Sequence, residues 1–165
     1  MHVPPDREFQ ADEIFKVLVR HRVRFVVIGG IAVQGHGYIR ATYDLDITVE
    51  PTTLNLTRLS EALAELGAEL RTPGTLSLAD PNQLRRAPLI PTTTRFGPLD
   101  VVHVEYVAGA PRSFDALHEA ALVVNLGGLE IPLAGLSDLI RMKRAAGREQ
   151  DLADIEALTR EPEST

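Results

Sequence analysis

Val26 to Glu50 reads VVIGGIAVQGHGYIRATYDLDITVE, and the order of its parts decides the fold. An apolar, β-branched run, Phe25-Val26-Val27-Ile28, stops at Gly29-Gly30. A short helical pattern follows. Then come Arg40, Thr42, Asp44 and Asp46, the two aspartates lying two positions apart in a second β-like run. Residues i and i+2 of a strand point to the same face. Asp44 and Asp46 are therefore expected to present their carboxylates side by side, with Leu45 and Ile47 buried behind them. Two carboxylates that close repel each other unless a cation sits between them. Hard oxygen ligands suit Mg²⁺, which is held by one or two carboxylates together with substrate phosphates. A glycine pair at a strand-to-helix turn lets backbone N–H groups approach a phosphate. Each part also has a plainer reading: an Asp-x-Asp pair fits a charge-protected edge strand, and paired glycines fit a tight turn. Their joint order, phosphate cradle and then metal ligands, favours a site for nucleotidyl transfer.

The chain has 165 residues, 44% of them hydrophobic and 24% charged, which suffices for one domain with its own core. We expect that domain over residues 1–160, followed by a short polar tail, Glu161–Thr165. Seventeen basic residues against 23 acidic ones leave a net charge of −6, which argues against a broad basic nucleic-acid surface. The sequence has no cysteine, so disulfides and thiolate metal sites are excluded. The N-terminal MHVPPDREFQ lacks an apolar signal core, and no apolar run is long enough to span a membrane. The expected location is the cytoplasm.

Upstream of the deciding stretch, Ile14, Phe15, Leu18 and Val19 have the spacing of an amphipathic helix, with Asp6 or Asp12 as candidate caps. Downstream, Thr53 is a candidate cap for a helix over Leu54–Leu66, whose Leu56, Leu59, Leu63 and Leu66 form one stripe. Residues 69–80 are turn-rich, and 81–86 fit a short helix. Two β-like runs, Leu89–Arg95 and Leu99–Val104, are joined at Phe96-Gly97-Pro98, which reads as a hairpin. A short helical piece at Ser113–His118 and strands at Leu122–Asn125 and Leu129–Pro132 follow. The chain ends in two helices, Leu136–Ala146 and Arg148–Thr159. Helices and strands in this order predict an α+β fold, a short mixed β-sheet flanked by helices with a helical C-terminal end.

Asp100 is the candidate third carboxylate, on a strand after a turn. A charge among valines needs a partner: the functional reading is a metal ligand or general base, the plainer one a strand-mouth carboxylate that is solvated or paired with Arg95. His103 points to the opposite face and reads as structural. His36 is a loop histidine without an evident partner.

Gly29-Gly30 followed by Arg40-x-Thr42-x-Asp44-Leu45-Asp46 resembles the signature of the DNA polymerase β-type nucleotidyltransferase superfamily. Within it the sequence is most similar to the AbiEii-type and MenT-like toxin nucleotidyltransferases. The resemblance implies a nucleotidyltransferase-type sheet and an Mg²⁺-dependent enzyme that moves an NMP from an NTP such as ATP to an acceptor hydroxyl, releasing pyrophosphate. It implies two Mg²⁺ ions on Asp44, Asp46 and Asp100, and the nucleotide β/γ-phosphates on Gly29 and Gly30. Arg40 would orient the site or the triphosphate, and Thr42 would brace the loop. The segment Lys143-Arg144-Ala145-Ala146-Gly147-Arg148, with Asp151, also resembles the family. Lys143 would contact phosphates as a point charge, and Asp151 would position it or a substrate. The family setting is a toxin–antitoxin or phage-defence module, with tRNA as first acceptor and a cognate antitoxin as partner. A protein or small-molecule acceptor is the alternative, as is a non-catalytic nucleotide sensor or partner subunit. Clustering of Arg20, Arg22, Arg24, Arg141 and Arg144 near the site would favour RNA.

Overall fold

A computed structural model describes residues 9–160. The proposed cap Asp6 and the tail Glu161–Thr165 lie outside the described residues. In chain order the elements are α1 (Ala11–Arg20), β1 (Phe25–Ile28), α2 (Gly29–Gly35), β2 (Leu45–Val49), α3 (Thr53–Glu65), β3 (Glu69–Leu70) and α4 (Pro81–Arg86). They continue with β4 (Leu89–Thr94), β5 (Gly97–Val102), α5 (Phe114–Glu119), β6 (Leu122–Leu126), β7 (Leu129–Leu133), α6 (Leu136–Ala146) and α7 (Glu149–Thr159).

The seven strands form one mixed sheet in the order β3-β4-β5-β2-β1-β7-β6. β2 runs antiparallel to β1 and parallel to β5, and β1 runs parallel to β7. This is the expected α+β architecture. β1 is buried along its whole length, whereas β2 is buried at Leu45 and Ile47 but only partly at Asp46. That alternation sets the register, because a one-residue slip would turn Asp46 into the core and Ile47 out of it. Leu45, Ile47, Leu99 and Val101 are all fully buried, and each such side chain contributes about 1.5–3 kcal/mol.

The helices bury the predicted stripes. Ile14, Phe15 and Leu18 of α1 enter the core, while Val17 takes the place assigned to the only partly buried Val19. Leu56, Leu59, Leu63 and Leu66 are buried together. Capping differs in detail. Thr52, extended after Pro51, caps α3 by accepting from the Asn55 N–H at 3.3 Å, so the cap lies one residue before Thr53. Gln10 occupies the N-cap of α1, and Asp12 lies in the first turn, where a carboxylate complements the helix dipole. The β4–β5 hairpin turns at Arg95-Phe96, with Thr94 opposite Gly97. Gly97 has φ +114°, so it ends the turn within the ladder. The turn-rich stretch after α3 contains a short edge strand, β3, that pairs Glu69 and Leu70 with Thr93 and Thr92 of β4.

Candidate active site

The two central aspartates face each other across the parallel β2–β5 pair, with Asp46 opposite Asp100. Their neighbours Leu45, Leu99, Ile47 and Val101 point into the core. Both carboxylates are therefore driven to the other face of the sheet. Asp44, immediately before β2, joins them. One carboxylate oxygen from each of Asp44, Asp46 and Asp100 lies within 4.8 Å of the others. The three residues singled out from the sequence are thus assembled in one place.

The glycine turn abuts this cluster, because Ile28 at the end of β1 pairs with Asp46. Gly29 has φ +71°, and a Cβ there would overlap the Asp46 carboxylate. A Cβ on Gly30 would stand 2.7 Å from the Thr42 hydroxyl and 3.0 Å from Arg40 Nη2. The glycines have a steric role that the cradle reading alone does not contain. They let the carboxylate and the arginine loop close onto the strand end.

Burial pushes the Asp46 carboxyl up to about 7, and the nearby charges of Asp44 and Asp100 push the same way; Lys143 and Arg148 offset part of the rise. A carboxyl so destabilised in its ionised form is a strong attractor for a cation. Asp100 Oδ1 is buried without an aligned hydrogen bond. The donor set is hard oxygen throughout. These features fit a divalent ion of the Mg²⁺ type.

Asp100 does have a cationic neighbour, but not the one expected. Arg95 donates to the Glu65 carbonyl and lies over the Phe96 ring. Arg71 Nη2 instead stands 2.6 Å from Asp100 Oδ1. The short strand β3 explains the exchange. The Arg71 N–H donates to the Pro91 carbonyl at 3.0 Å, and Pro91 is the cross-strand partner of Asp100. Arg95 sits in the hairpin turn, beyond the end of β4.

The C-terminal helices supply a second charged assembly. Arg40 forms a two-pronged pair with Asp154, Nε to Oδ1 at 2.8 Å and Nη2 to Oδ2 at 3.0 Å. Lys143 Nζ lies 3.0 Å from Asp151 and 3.1 Å from Asp154. Arg148 Nε donates to Asp151 at 2.7 Å, and Gln150 donates to Asp154 at 2.8 Å. The Lys143, Asp151 and Asp154 side chains are 8%, 1% and 0% exposed. Burial alone would raise both acids. Hydrogen bonds from Arg148 and Lys143 hold Asp151 below the usual carboxylate range, and those from Arg40, Lys143 and Gln150 do the same for Asp154.

Lys143 and Asp151 are therefore joined, and Arg40 belongs to the same network. Asp154, its most buried member, was not singled out. The signal was present: Asp151 and Asp154 are three apart on one helix, and so share a face. Arg71 carried no signal, since only strand pairing brings it to Asp100. Thr42 lines a cavity of about 350 Å³ with Arg40, Ala41, Tyr43, Asp44, Arg71 and Pro98. The loop is braced by Gln34, whose amide donates to the Arg40 carbonyl. His36 and His103 are each held by a backbone carbonyl, of Ala134 and Leu84 respectively, at 2.8 Å. Arg20, Arg22 and Arg24 precede β1, at the opposite end of that strand from Gly29. Arg20 and Arg24 pair with Glu65 and Glu50. These three arginines do not line the carboxylate cluster, whereas Arg141, paired with Asp138, and Arg144 are exposed on α6, the helix that carries Lys143.

The chain superimposes on solved nucleotidyltransferases over nearly its whole length. Against the lincomycin-bound lincosamide antibiotic adenylyltransferase LnuA the TM-score is 0.64 at 14% identity, covering 96% of this chain and 98% of that one. The chain has the nucleotidyltransferase fold. The same fold is shared with ANT(2″)-Ia in complex with adenylyl-2″-tobramycin, with a TM-score of 0.51, 12% identity, and 90% and 94% of the two chains covered. An antigenic nucleotidyltransferase-like protein from Paracoccidioides brasiliensis gives a TM-score of 0.54 and 17% identity over 91% and 77% of the chains. No protein-family model matches the sequence, and comparison with curated proteins gives no match. Among the described residues no helix is long and apolar enough to cross a membrane.

Proposed function

We propose that the protein transfers an NMP from an NTP to an acceptor hydroxyl, with release of pyrophosphate. The observation that carries this reading is the convergence of Asp44, Asp46 and Asp100 within 4.8 Å of one another, against a glycine turn and in a nucleotidyltransferase fold. Asp44, Asp46 and Asp100 would hold two Mg²⁺ ions, which would supply charge stabilisation at the α-phosphoryl group and activation of the acceptor hydroxyl. Asp100 accepts the hydroxyl proton as the acceptor oxygen bonds to the α-phosphorus and the bond to the pyrophosphate oxygen breaks. In this reading the β/γ-phosphates sit against the backbone N–H groups of the Gly29-Gly30 turn. Lys143 supplies positive charge toward them, steadied by Asp151, while Arg40 and Thr42 shape the approach.

A small hydroxylated molecule is the acceptor class we favour. Correspondence with LnuA over 98% of that chain leaves the overall size suited to such a substrate. The arginines before β1 offer no basic path to the site, and the net charge is −6. A tRNA acceptor in a toxin–antitoxin setting, the implication of the AbiEii resemblance, is the outcome to test against it.

The test incubates each α-³²P-labelled NTP with the protein, Mg²⁺ and, separately, total tRNA or a panel of lincosamides and aminoglycosides. Label on a small molecule that disappears in Asp44→Ala/Asp46→Ala supports the reading in full. Label on tRNA keeps the chemistry and replaces the acceptor. NTP binding without transfer to any acceptor turns the reading into a nucleotide sensor.

A further inference from the structure

Among the described residues, Asp100 is the one member of the three clustered carboxylates that is met by a guanidinium. Arg71 Nη2 stands 2.6 Å from its Oδ1, yet that oxygen has no aligned hydrogen bond. The contact is one of charge rather than of a well-directed bond, and such a contact yields readily to a competing cation. Arg71 is nonetheless placed deliberately by the fold. Its N–H is tied to the Pro91 carbonyl at 3.0 Å, and its other terminal nitrogen donates to the Thr92 carbonyl. Its side chain is 35% exposed and lines the cavity beside Asp44. The guanidinium therefore has solvent to move into while its backbone stays fixed.

We propose that Arg71 is an internal counter-ion for Asp100, a positioning residue that a divalent cation must displace. Arg71 keeps the third carboxylate in place and partly neutralised before the metal arrives. It thereby lowers metal affinity and links metal loading to movement of a charged group in the cavity wall. The inference rests on the nucleotidyltransferase reading of the three aspartates.

Mn²⁺ binding to the full chain, followed by electron paramagnetic resonance of the free ion, tests it without any turnover. Losing a partly exposed ion pair is expected to tighten Mn²⁺ binding in Arg71→Gln by about two- to fivefold. Arg71→Met, which keeps the aliphatic stem, is expected to act in the same direction, and Arg71→Lys to stay near wild type. In an Asp100→Asn background, Arg71→Gln should change nothing further. Unchanged or weaker Mn²⁺ binding in both uncharged variants, with thermal melting intact, overturns the proposal while leaving the metal site standing. Failure of the wild type to bind Mn²⁺, or equal binding by Asp44→Asn and Asp46→Asn, removes the site reading and the proposal with it.

Discussion

Asp46 is the residue whose chemistry is most altered by its surroundings. Burial, with Asp44 and Asp100 nearby, pushes its carboxyl up to about 7, against about 3.9 in an unfolded chain. Between those values the folded chain keeps a proton that the unfolded chain has lost, so stability must fall as pH rises. In metal-free protein, the stability lost between pH 5 and pH 8 should be about 2–3 kcal/mol greater for wild type than for Asp46→Asn. Urea unfolding in EDTA at the two pH values measures this, and equal losses in the two proteins would contradict it. Asp46 and Gly29 also show what is readable one residue at a time. The aspartate is conspicuous in the sequence, and so is the glycine. That the two are sterically matched, one lacking the Cβ that would strike the other, is a fact of packing.

At the scale of elements, α6 and α7 are bound to the loop before β2 through buried charge. Asp154 receives Arg40, Lys143 and Gln150, so its removal takes away the two-pronged partner of Arg40 and leaves Lys143 with Asp151 alone. Breaking a buried pair of this kind costs about 3–5 kcal/mol. We expect Asp154→Ala to lose stability in that range by chemical denaturation. Arg148→Ala should cost under about 1 kcal/mol, because that side chain is 77% exposed and an exposed pair is worth little. Comparable losses in the two variants would show that burial is not what gives the network its strength. The network also gives Lys143 two partners before any phosphate arrives. Its part in the proposed transfer is thus to hold positive charge near Asp46 as much as to contact a ligand directly.

For the whole molecule, the clustered carboxylates make an energetic cost of metal-free folding that a bound cation removes. A ligand that binds only the folded state stabilises it by RT ln(1 + [L]/Kd), about 2.7 kcal/mol at one hundred times Kd. Saturating Mn²⁺ or Mg²⁺ should therefore raise the melting temperature of the wild type by several degrees, roughly in proportion to that energy. The rise should vanish in Asp44→Asn/Asp46→Asn, seen by differential scanning calorimetry. An equal rise in the double variant would place the ion elsewhere.

Period and punctuation were enough to read the strands around Gly29-Gly30 and Asp44-x-Asp46, the stripe of α3 and the two terminal helices. Each of these depends on residues within one turn or one pleat of each other. The side-by-side placement of Asp44 and Asp46 could be anticipated from the two-residue period, although Asp44 lies just before β2, and Asp100 could be nominated because a lone charge among valines needs a partner. Which partner it has was beyond local reasoning. Arg71 reaches Asp100 only because a two-residue edge strand pairs with β4 and sets it beside Pro91. Arg40 meets Asp154 across 114 residues of chain. The sequence by itself nominated the three aspartates that the structure brings together; tertiary structure decided which charges neutralise one another. Strand register and helix docking bring those charges together, and neither is encoded at the positions where the charges lie.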